Sequence, residues 1–509
     1  MALKLVTAEE MRSIDAATIR DRNLPALELM ERAGKAVADV IITEYNPRCV
    51  GIVTGKGNNA GDGLVVARLL AQNEIEVRLL MLTEGGNMGD AGRANFERLP
   101  ENVVIVDRHE LPRMGAHFDD CDIIVDAILG TGIKGAVKGS LGEAIAVINS
   151  IYKPVIAVDI PSGLDADTGM AEGACVVASH TVTIGLPKRG LILGNGAAFT
   201  GELSVVDIGF PEDLTQSGDL KLHLLQMEDA TAALPFRPID GHKGSFGSLL
   251  VIAGQPGMSG AAYLTTATAL RSGCGMVYGA FPSEVAHILA NRLIECVKVP
   301  VNRGSEYLSH ESWDSLEPFF AKSDAIAIGP GLGTHEDTAR LVDEIVCLEI
   351  PMVIDADALN CLGDKTRYLS KRPAPTIITP HPGEMGRILG ISVEEVQRDR
   401  LACASKLAVE ANIIVALKGF RTVVALPDGR IYVNPTGNHG MAKGGSGDVL
   451  TGLIGGLLAQ GCSAEQAACA GVFLHGMAGD LAGEEIGARG MTAQNILDKV
   501  PEVLKAVES

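Results

Sequence analysis

Several familiar signatures are missing from this chain, and each absence removes a class of protein. Positive charge is not in excess: 43 lysines and arginines face 63 acidic residues, for a net charge of -20 at pH 7, and this repels nucleic acid and anionic membrane surfaces. An anionic ligand must then be met by backbone amides and a few lysines. Long apolar runs are also lacking; those present are short and broken by glycine, which excludes a spanning helix. The opening MALKLVTAEEMRSIDAATIR carries charges inside any candidate apolar core, so neither a signal peptide nor an anchor is expected. Paired cysteines are missing too. The ten cysteines stand singly without CxxC spacing, several in apolar surroundings (Cys274, Cys361, Cys403, Cys469), and they read as reduced, mostly buried thiols of a cytoplasmic protein, not as a disulfide frame or zinc site. The phosphate-loop pattern GxxxxGK[ST] is absent.

What is present is length, glycine and short apolar runs. At 509 residues the chain exceeds one hydrophobic core, given about 100–200 residues per domain, and two large domains are expected. Sixty glycines, few aromatics and many Val/Ile/Ala runs fit parallel α/β layers, whose buried strands are continuous apolar stretches and whose loops need small residues. In the first half, strand-like runs at 49–55, 76–82, 103–107, 121–130, 154–161, 181–185 and 203–209 alternate with helix-like segments such as 63–72, which predicts a doubly wound parallel sheet. The rhythm fails between about 211 and 240, where proline and charge accumulate, and a domain boundary is placed there. It resumes with strands near 247–254, 325–331, 352–359, 375–384, 413–419 and 422–426, the last joined through Pro427-Asp428-Gly429 to IYVN. Two helices, near 446–459 and 463–482, are expected to close the chain. No internal period aligns the halves, so two different domains are predicted.

In the first half, TGKGNNAGDG follows a strand and opens a helix, with the Gly55-x-Gly57-x-x-Ala60 spacing of a dinucleotide turn. Asn58, Asn59 and Asp62 crowd oxygens into that turn, where a plain reading makes them helix caps. Asp126 lies late in one strand, ahead of the loop Gly130-Thr131-Gly132-Ile133-Lys134-Gly135-Ala136, while Asp159 and Ser162 close another. Loops at the carboxyl ends of parallel strands converge on one crevice. Such a site holds amide oxygens, two carboxylates, a hydroxyl and a lysine, a donor set that suits a hard cation.

In the second half, NHGMAKGGSGDVL places Gly445, Ser446 and Gly447 at the start of an apolar helix, with amides aimed at an anion and Asp448 in the first turn. A carboxylate that takes a hydroxyl proton beside an anion hole is minimal equipment for phosphoryl transfer. A helix cap alone accounts for Asp448 but not for the flanking glycines. Lys418 and Gly419, His381 and Glu384, and Asp357 and Asn360 all follow strand ends that feed the same crevice.

These motifs match a family. NNAGDG, DAILGTG and DIPSG resemble the NAD(P)H-hydrate epimerase domain, and HKGSFGSLLVIAG, PGLG, DADALN, TPHPGE, LKG and GNHGMAKGGSGDVL resemble the ADP-dependent NAD(P)H-hydrate dehydratase domain of ribokinase-like fold. The order is that of the fused bacterial repair enzyme, and the resemblance covers nearly the whole chain. It implies an α/β protein with a Rossmann-like epimerase domain at 1–220 and a ribokinase-like dehydratase domain at 221–509. The substrates implied are NADHX and NADPHX, reduced nicotinamide dinucleotides that have added water across a ring double bond; the first domain interconverts R and S hydrates, and the second dehydrates the S form with ADP, giving AMP and phosphate. Carried over by position, Asn59, Asp126 and Ser162 hold a potassium ion. Asn58, Asn59, Ala60, Gly61 and Asp62, then Gly130, Thr131, Gly132, Ile133, Lys134, Gly135 and Ala136, with Asp159, surround the hydrate. Asp159 and Lys134 are the candidate acid/base pair. In the second domain Ala261, Gly333, His381 and Asp448 line the hydrate, and Asp448 meets the reacting hydroxyl. Lys418, Gly419, Phe420, Arg421 and Thr422 take the nucleotide, with Gly445, Ser446 and Gly447 at its phosphates and magnesium accompanying it. A homo-oligomer is expected, without nucleic-acid or membrane partners. Two departures are small: GGSGD stands where GAGD is more usual, and Ala60 where glycine is frequent. A ribokinase-like small-molecule kinase with a regulatory first domain, and a non-catalytic dinucleotide sensor, are the competing readings.

Overall fold

Seven strands of the first half form one sheet: β1 (Cys49–Thr54), β2 (Glu76–Met81), β3 (Val104–Val106), β4 (Ile123–Ala127), β5 (Val155–Val158), β6 (His180–Ile184) and β7 (Glu202–Val206). The structure, a computed structural model, describes residues 2–22, 24–83, 89–301, 304 and 306–508. The strands order as β3-β2-β1-β4-β5-β6-β7 and every pair is parallel. All residues of β1, β4 and β5 are buried, as strands covered on both faces require. The order reverses between β1 and β4, so the loops leaving these two strands part and open a crevice at their carboxyl ends. Gly55, just after β1, must be glycine, since a Cβ there would sit 2.1 Å from the Ile128 carbonyl oxygen.

The chain divides into two units, Lys4–Leu220 and Lys221–Ser509 with Met1–Leu3. In the second, β8 (Leu222–Leu224), β9 (Ser248–Ile252), β10 (Met276–Pro282), β11 (Val297–Val301), β12 (Ala325–Ile328), β13 (Met352–Ile354), β14 (Thr376–Ile378), β15 (Ile414–Leu417), β16 (Val423–Ala425) and β17 (Ile431–Val433) order as β8-β17-β16-β15-β14-β13-β12-β9-β10-β11. The run from β15 to β11 is parallel, and β15, β16 and β17 pair antiparallel. Side-chain alternation sorts the strands onto two cores: Leu249, Val251, Ala325 and Ala327 join one cluster, and Leu250, Ile252, Ile326 and Ile328 the other. The first cluster takes the helix Ser446–Ala459, buried continuously from Val449 to Ala459. Its glycines let neighbours approach, for a Cβ on Gly452 would lie 2.2 Å from the Thr265 carbonyl oxygen.

Some expectations need correction. Three helices, not two, close the chain: Ala464–Ile486 is followed by Ala493–Glu508, which contains Pro501 and buries Ala493, Ile496, Leu497, Val500, Val503 and Val507 on one stripe. The irregular stretch after 211 contributes β8 and the helix Met227–Ala233. All ten cysteines are free, but Cys361 and Cys403 are only half-buried and Cys347 is exposed. Among the described residues, no helix is long and apolar enough to cross a membrane.

Candidate active sites

A cavity of about 790 Å³ opens in the first unit where the loops after β1, β4 and β5 meet. The helix Asn58–Gln72 begins there, so Asn58, Asn59, Ala60, Gly61 and Asp62 form its first turn. Asn58, Asn59, Asp62, Gly130 to Ala136 and Asp159 all line the cavity; Ala60 and Gly61 are buried beside it. Asp126 is fully buried at the end of β4. Its Oδ1 accepts from the Ser162 hydroxyl at 2.6 Å and its Oδ2 from the Ser162 amide at 2.8 Å. The Asn59 amide donates to the Leu129 carbonyl at 2.9 Å, and the Ser162 hydroxyl accepts from the Leu129 amide at 2.8 Å. Asn59, Asp126 and Ser162 therefore converge around Leu129. Burial raises the Asp126 pKa to about 6 against the Ser162 bonds that lower it, and the side-chain oxygen of Asn59 is buried with no hydrogen-bond partner. An orphan carbonyl oxygen beside a buried carboxylate and a hydroxyl fits a hard cation.

Asp159 departs from expectation in its partner. It holds φ +68, a left-handed conformation rare for a residue with a side chain. Its Oδ1 accepts from the Ile184 amide at 3.0 Å, the Thr183 hydroxyl at 3.2 Å and the Lys188 ammonium. Lys188 is buried and also donates to the Ile184 carbonyl at 2.9 Å. Lys134 is not the partner of Asp159: it is exposed, and its ammonium lies 3.0 Å from Asp167 and 3.3 Å from Asp165. Lys188 went unnoticed because its segment LPKRG has no glycine cluster; only the neighbouring position of β6 in the sheet brings it to Asp159. Asp62 is buried, and burial first, then the Asp159 and Asp15 charges, push its pKa well above the ordinary carboxylate range.

In the second unit the site is built on the helix Ser446–Ala459. Gly445 caps it at φ +94, and a Cβ there would meet Leu264 Cδ1 at 2.7 Å. The loop faces Lys418 after β15: a Cβ on Gly447 would come within 3.2 Å of the Lys418 ammonium and 3.8 Å of Asp355 Oδ2. Lys418 lies 2.6 Å from Asp355 Oδ1 and 3.9 Å from Glu384 Oε2. Burial opposes its charge, but Asp355 and Glu384 outweigh that and raise its pKa. Asp355, fully buried, also accepts from the Thr451 hydroxyl at 2.7 Å. Asp448 stands in the first helical turn with its pKa raised to about 7, by burial first and then by the Asp355 charge, while Lys418 lowers it. A carboxyl poised there both accepts and releases a proton near neutrality.

The remaining predicted residues surround this centre unevenly. His381 caps the helix Pro382–Leu389, Nδ1 accepting from the Gly383 amide at 2.9 Å, and burial with Lys418 lowers its pKa so that it stays neutral. The Gly333 amide donates to Asp357 at 2.9 Å, and Ala261 lies in the helix Ser259–Arg271, where its Cβ would be 3.0 Å from a Cβ placed on Gly331. Gly419, Phe420, Arg421 and Thr422 form the turn after β15, with Phe420 exposed and Arg421 at φ +55. Ser446 is buried against His475, whose Nε2 is 3.4 Å from its hydroxyl. Lys443 donates to the Arg489 and Met491 carbonyls at 2.8 and 2.5 Å. Asp355 was missed because an aspartate before a helix reads as a cap. Among the described residues no three acidic, His or Cys side chains form a metal cage.

Comparison with known proteins places this geometry. Residues 249–502 match the family model described as NAD(P)H-hydrate dehydratase, and residues 26–190 the one described as YjeF-related protein N-terminus. The bifunctional NAD(P)H-hydrate repair enzyme Nnr of Moorella thermoacetica is 42% identical over 514 residues, covering 99% of this chain and 97% of that protein. Its Escherichia coli namesake is 36% identical, covering 98% and 93%. The crystal structure of ADP/ATP-dependent NAD(P)H-hydrate dehydratase from Bacillus subtilis, co-crystallized with ATP/Mg2+, is 35% identical with a TM-score of 0.50, covering 56% of this chain and 98% of its own. A ribokinase-like superfamily protein from Enterococcus faecalis, 24% identical with a TM-score of 0.50 over 57% of this chain and 98% of its own, shares the fold.

Proposed function

Since the chain belongs to the family of bifunctional NAD(P)H-hydrate repair enzymes, we propose that its second unit dehydrates S-NADHX and S-NADPHX with ADP, and that its first unit supplies the S form by epimerising the R hydrates, in the cytoplasm. The observation that carries the first half is Asp448 at the amide-rich helix start with Lys418 across from it. Asp448 removes the proton from the hydrate's hydroxyl, and that oxygen attacks the β-phosphorus of ADP. The bond from this phosphorus to the bridging oxygen breaks and AMP departs. Amides of Gly445, Ser446 and Gly447 and the Lys418 ammonium offset the charge gathering on the phosphoryl oxygens. Hydroxide is a poor leaving group; phosphate is a good one. The ring nitrogen pushes its electron pair toward the phosphorylated carbon, phosphate leaves, and loss of a proton from the adjacent carbon restores the reduced nicotinamide. Magnesium accompanies the nucleotide, and Asp355 and Glu384, flanking Lys418, are the carboxylates that would complete its coordination.

In the first unit, Asn59, Asp126 and Ser162 would hold potassium, which supplies a fixed positive charge at the strand ends when bound. The hydrate enters the cavity lined by the turn at Asn58 and the loop Gly130 to Ala136, with Asp159 facing it. In this reading the hydroxyl leaves one face of the ring and water returns on the other, and the ring nitrogen stabilises the cation between. Asp159 takes the proton of the returning water.

Two variants test the assignment. Asp448→Asn should abolish dehydration of the S hydrate while R still converts to S, and Asp159→Ala should do the reverse. Loss of both activities in either variant would refute two independent sites.

A further inference from the structure

Epimerisation through water loss needs a proton donor as well as an acceptor. As water leaves, the hydroxyl oxygen must gain a proton; as water returns, one must be taken up. The reading above accounts for the second with Asp159 and leaves the first unassigned.

One carboxyl in the cavity is marked by no motif. Asp15 lies on the helix Ala8–Arg22, which buries Ala8, Met11, Ile14 and Thr18, and it lines the cavity beside Met11, Arg12 and Ile19. It is half-buried, yet no hydrogen bond or ion pair within the described residues holds its carboxyl. A carboxyl placed there costs stability that an alanine or leucine would not. Asp159 is the opposite case: three donors converge on its Oδ1, one of them the buried Lys188 ammonium. The two carboxyls enter the cavity from separate elements, the first helix and the turn after β5, and one is fixed while the other is unengaged.

We propose that Asp15 is the second proton-transferring residue of the epimerase site, working against Asp159. In the R to S direction the Asp15 carboxyl gives its proton to the departing hydroxyl, the carbon–oxygen bond breaks, and water leaves as the ring nitrogen's pair forms the carbon–nitrogen double bond. Water then adds to the same carbon from the other face and yields its proton to Asp159. One proton has passed from Asp15 to Asp159 and returns through solvent; in the S to R direction the roles exchange. Burial raises the Asp15 pKa to about 6, Lys188 lowers it, and Asp159 raises it, so a protonated fraction persists near neutrality, as a general acid requires. The other charged groups lining the cavity are Arg12 on the same helix, Asp62, and Lys56, Lys134 and Lys138 on the loops.

This inference rests on the epimerase reading, and the full-length chain separates the two. R-NADPHX is incubated with parent, Asp15→Asn and Asp15→Glu chains without nucleotide, and S-NADPHX is followed by chromatography; dehydration of S-NADPHX with ADP is assayed on the same preparations. Asp15→Asn should lower the epimerisation kcat by about 100-fold or more with KM little changed, remove the fall in rate above pH ~6, and leave dehydration at the parental rate. Asp15→Glu should restore a substantial part of the loss. Epimerisation by Asp15→Asn within about threefold of the parent, or a loss confined to KM with an unchanged pH profile, overturns the proposal. A parent chain that leaves R-NADPHX unchanged overturns the epimerase reading itself, and the inference with it.

Discussion

Replacing Asp448 with asparagine should disable the dehydratase and at the same time make the protein more stable at pH 8. Burial and the neighbouring Asp355 lift this carboxyl from its ordinary 3.8 to about 7, with only Lys418 opposing. A raised carboxyl pKa means that the folded chain binds a proton more tightly than the unfolded one. Below about pH 4 the group is protonated in both states and imposes no penalty. Between about pH 4 and 7 the unfolded chain ionises while the folded one does not, so stability falls as pH rises; above 7 the whole penalty is present. Each unit corresponds to about 1.4 kcal/mol, so ~3 units set a ceiling near 4 kcal/mol, which water reaching a partly accessible group reduces to roughly 1–2 kcal/mol. Asparagine, of nearly the same shape and never charged, escapes it. For a domain of this size the gain is about 2–8 °C in Tm. Thermal melts of parent and Asp448→Asn should differ in that sense at pH 8, and the difference should shrink steadily toward pH 4, while dehydration falls by about 10² to 10⁴. An asparagine variant that melts below the parent at pH 8 would refute the reasoning, because the carboxylate would then be held by its neighbours and not strained by them.

The same carboxyl must be ionised to act as a base, so kcat/KM for dehydration should rise with pH to half its maximum near pH ~7 and stand about tenfold below the plateau at pH 6; a flat profile contradicts Asp448 as the base. Potassium chloride should raise the melting temperature of the parent relative to choline chloride, and Asp126→Asn should lose that response, since the buried carboxylate is the one anionic ligand in the proposed set; an equal response in both chains removes the cation from that site. Gly445→Ala forces a side chain into φ +94 and to 2.7 Å from Leu264, which should cost about 1–2 kcal/mol and raise KM for ADP in the dehydration assay with epimerisation unchanged.

The central strands of the first unit were legible because a parallel strand covered on both faces must be a nearly uninterrupted apolar run, as β1, β4 and β5 are. The loops of the candidate sites were legible for a related reason: Asp126, Asp159, Lys418 and Asp448 each sit where such a run or a glycine cluster ends. What escaped was fixed by neighbours distant in sequence. Lys188 meets Asp159 only because β5 and β6 are adjacent, and Lys134, the lysine of the glycine loop, pairs instead with Asp165 and Asp167. Asp15 sits in an amphipathic helix with no motif around it. The helix Ala493–Glu508 carries a clear apolar stripe, but Pro501 within it reads as a breaker. Ala464–Ile486 ran four residues past its expected end, where Gly487 at φ +87 finally stops it.

The central claim is that one chain repairs both hydrates in two steps. It is tested most directly by incubating the purified protein with mixed R and S NADPHX and ADP, ATP or no nucleotide, while reduced-nicotinamide absorbance and phosphate release are followed together. The account predicts full recovery of both epimers with ADP, one phosphate released per nicotinamide restored, and no recovery without nucleotide. Recovery that stops with the R form remaining, or a stable phosphorylated product in place of free phosphate, would contradict it.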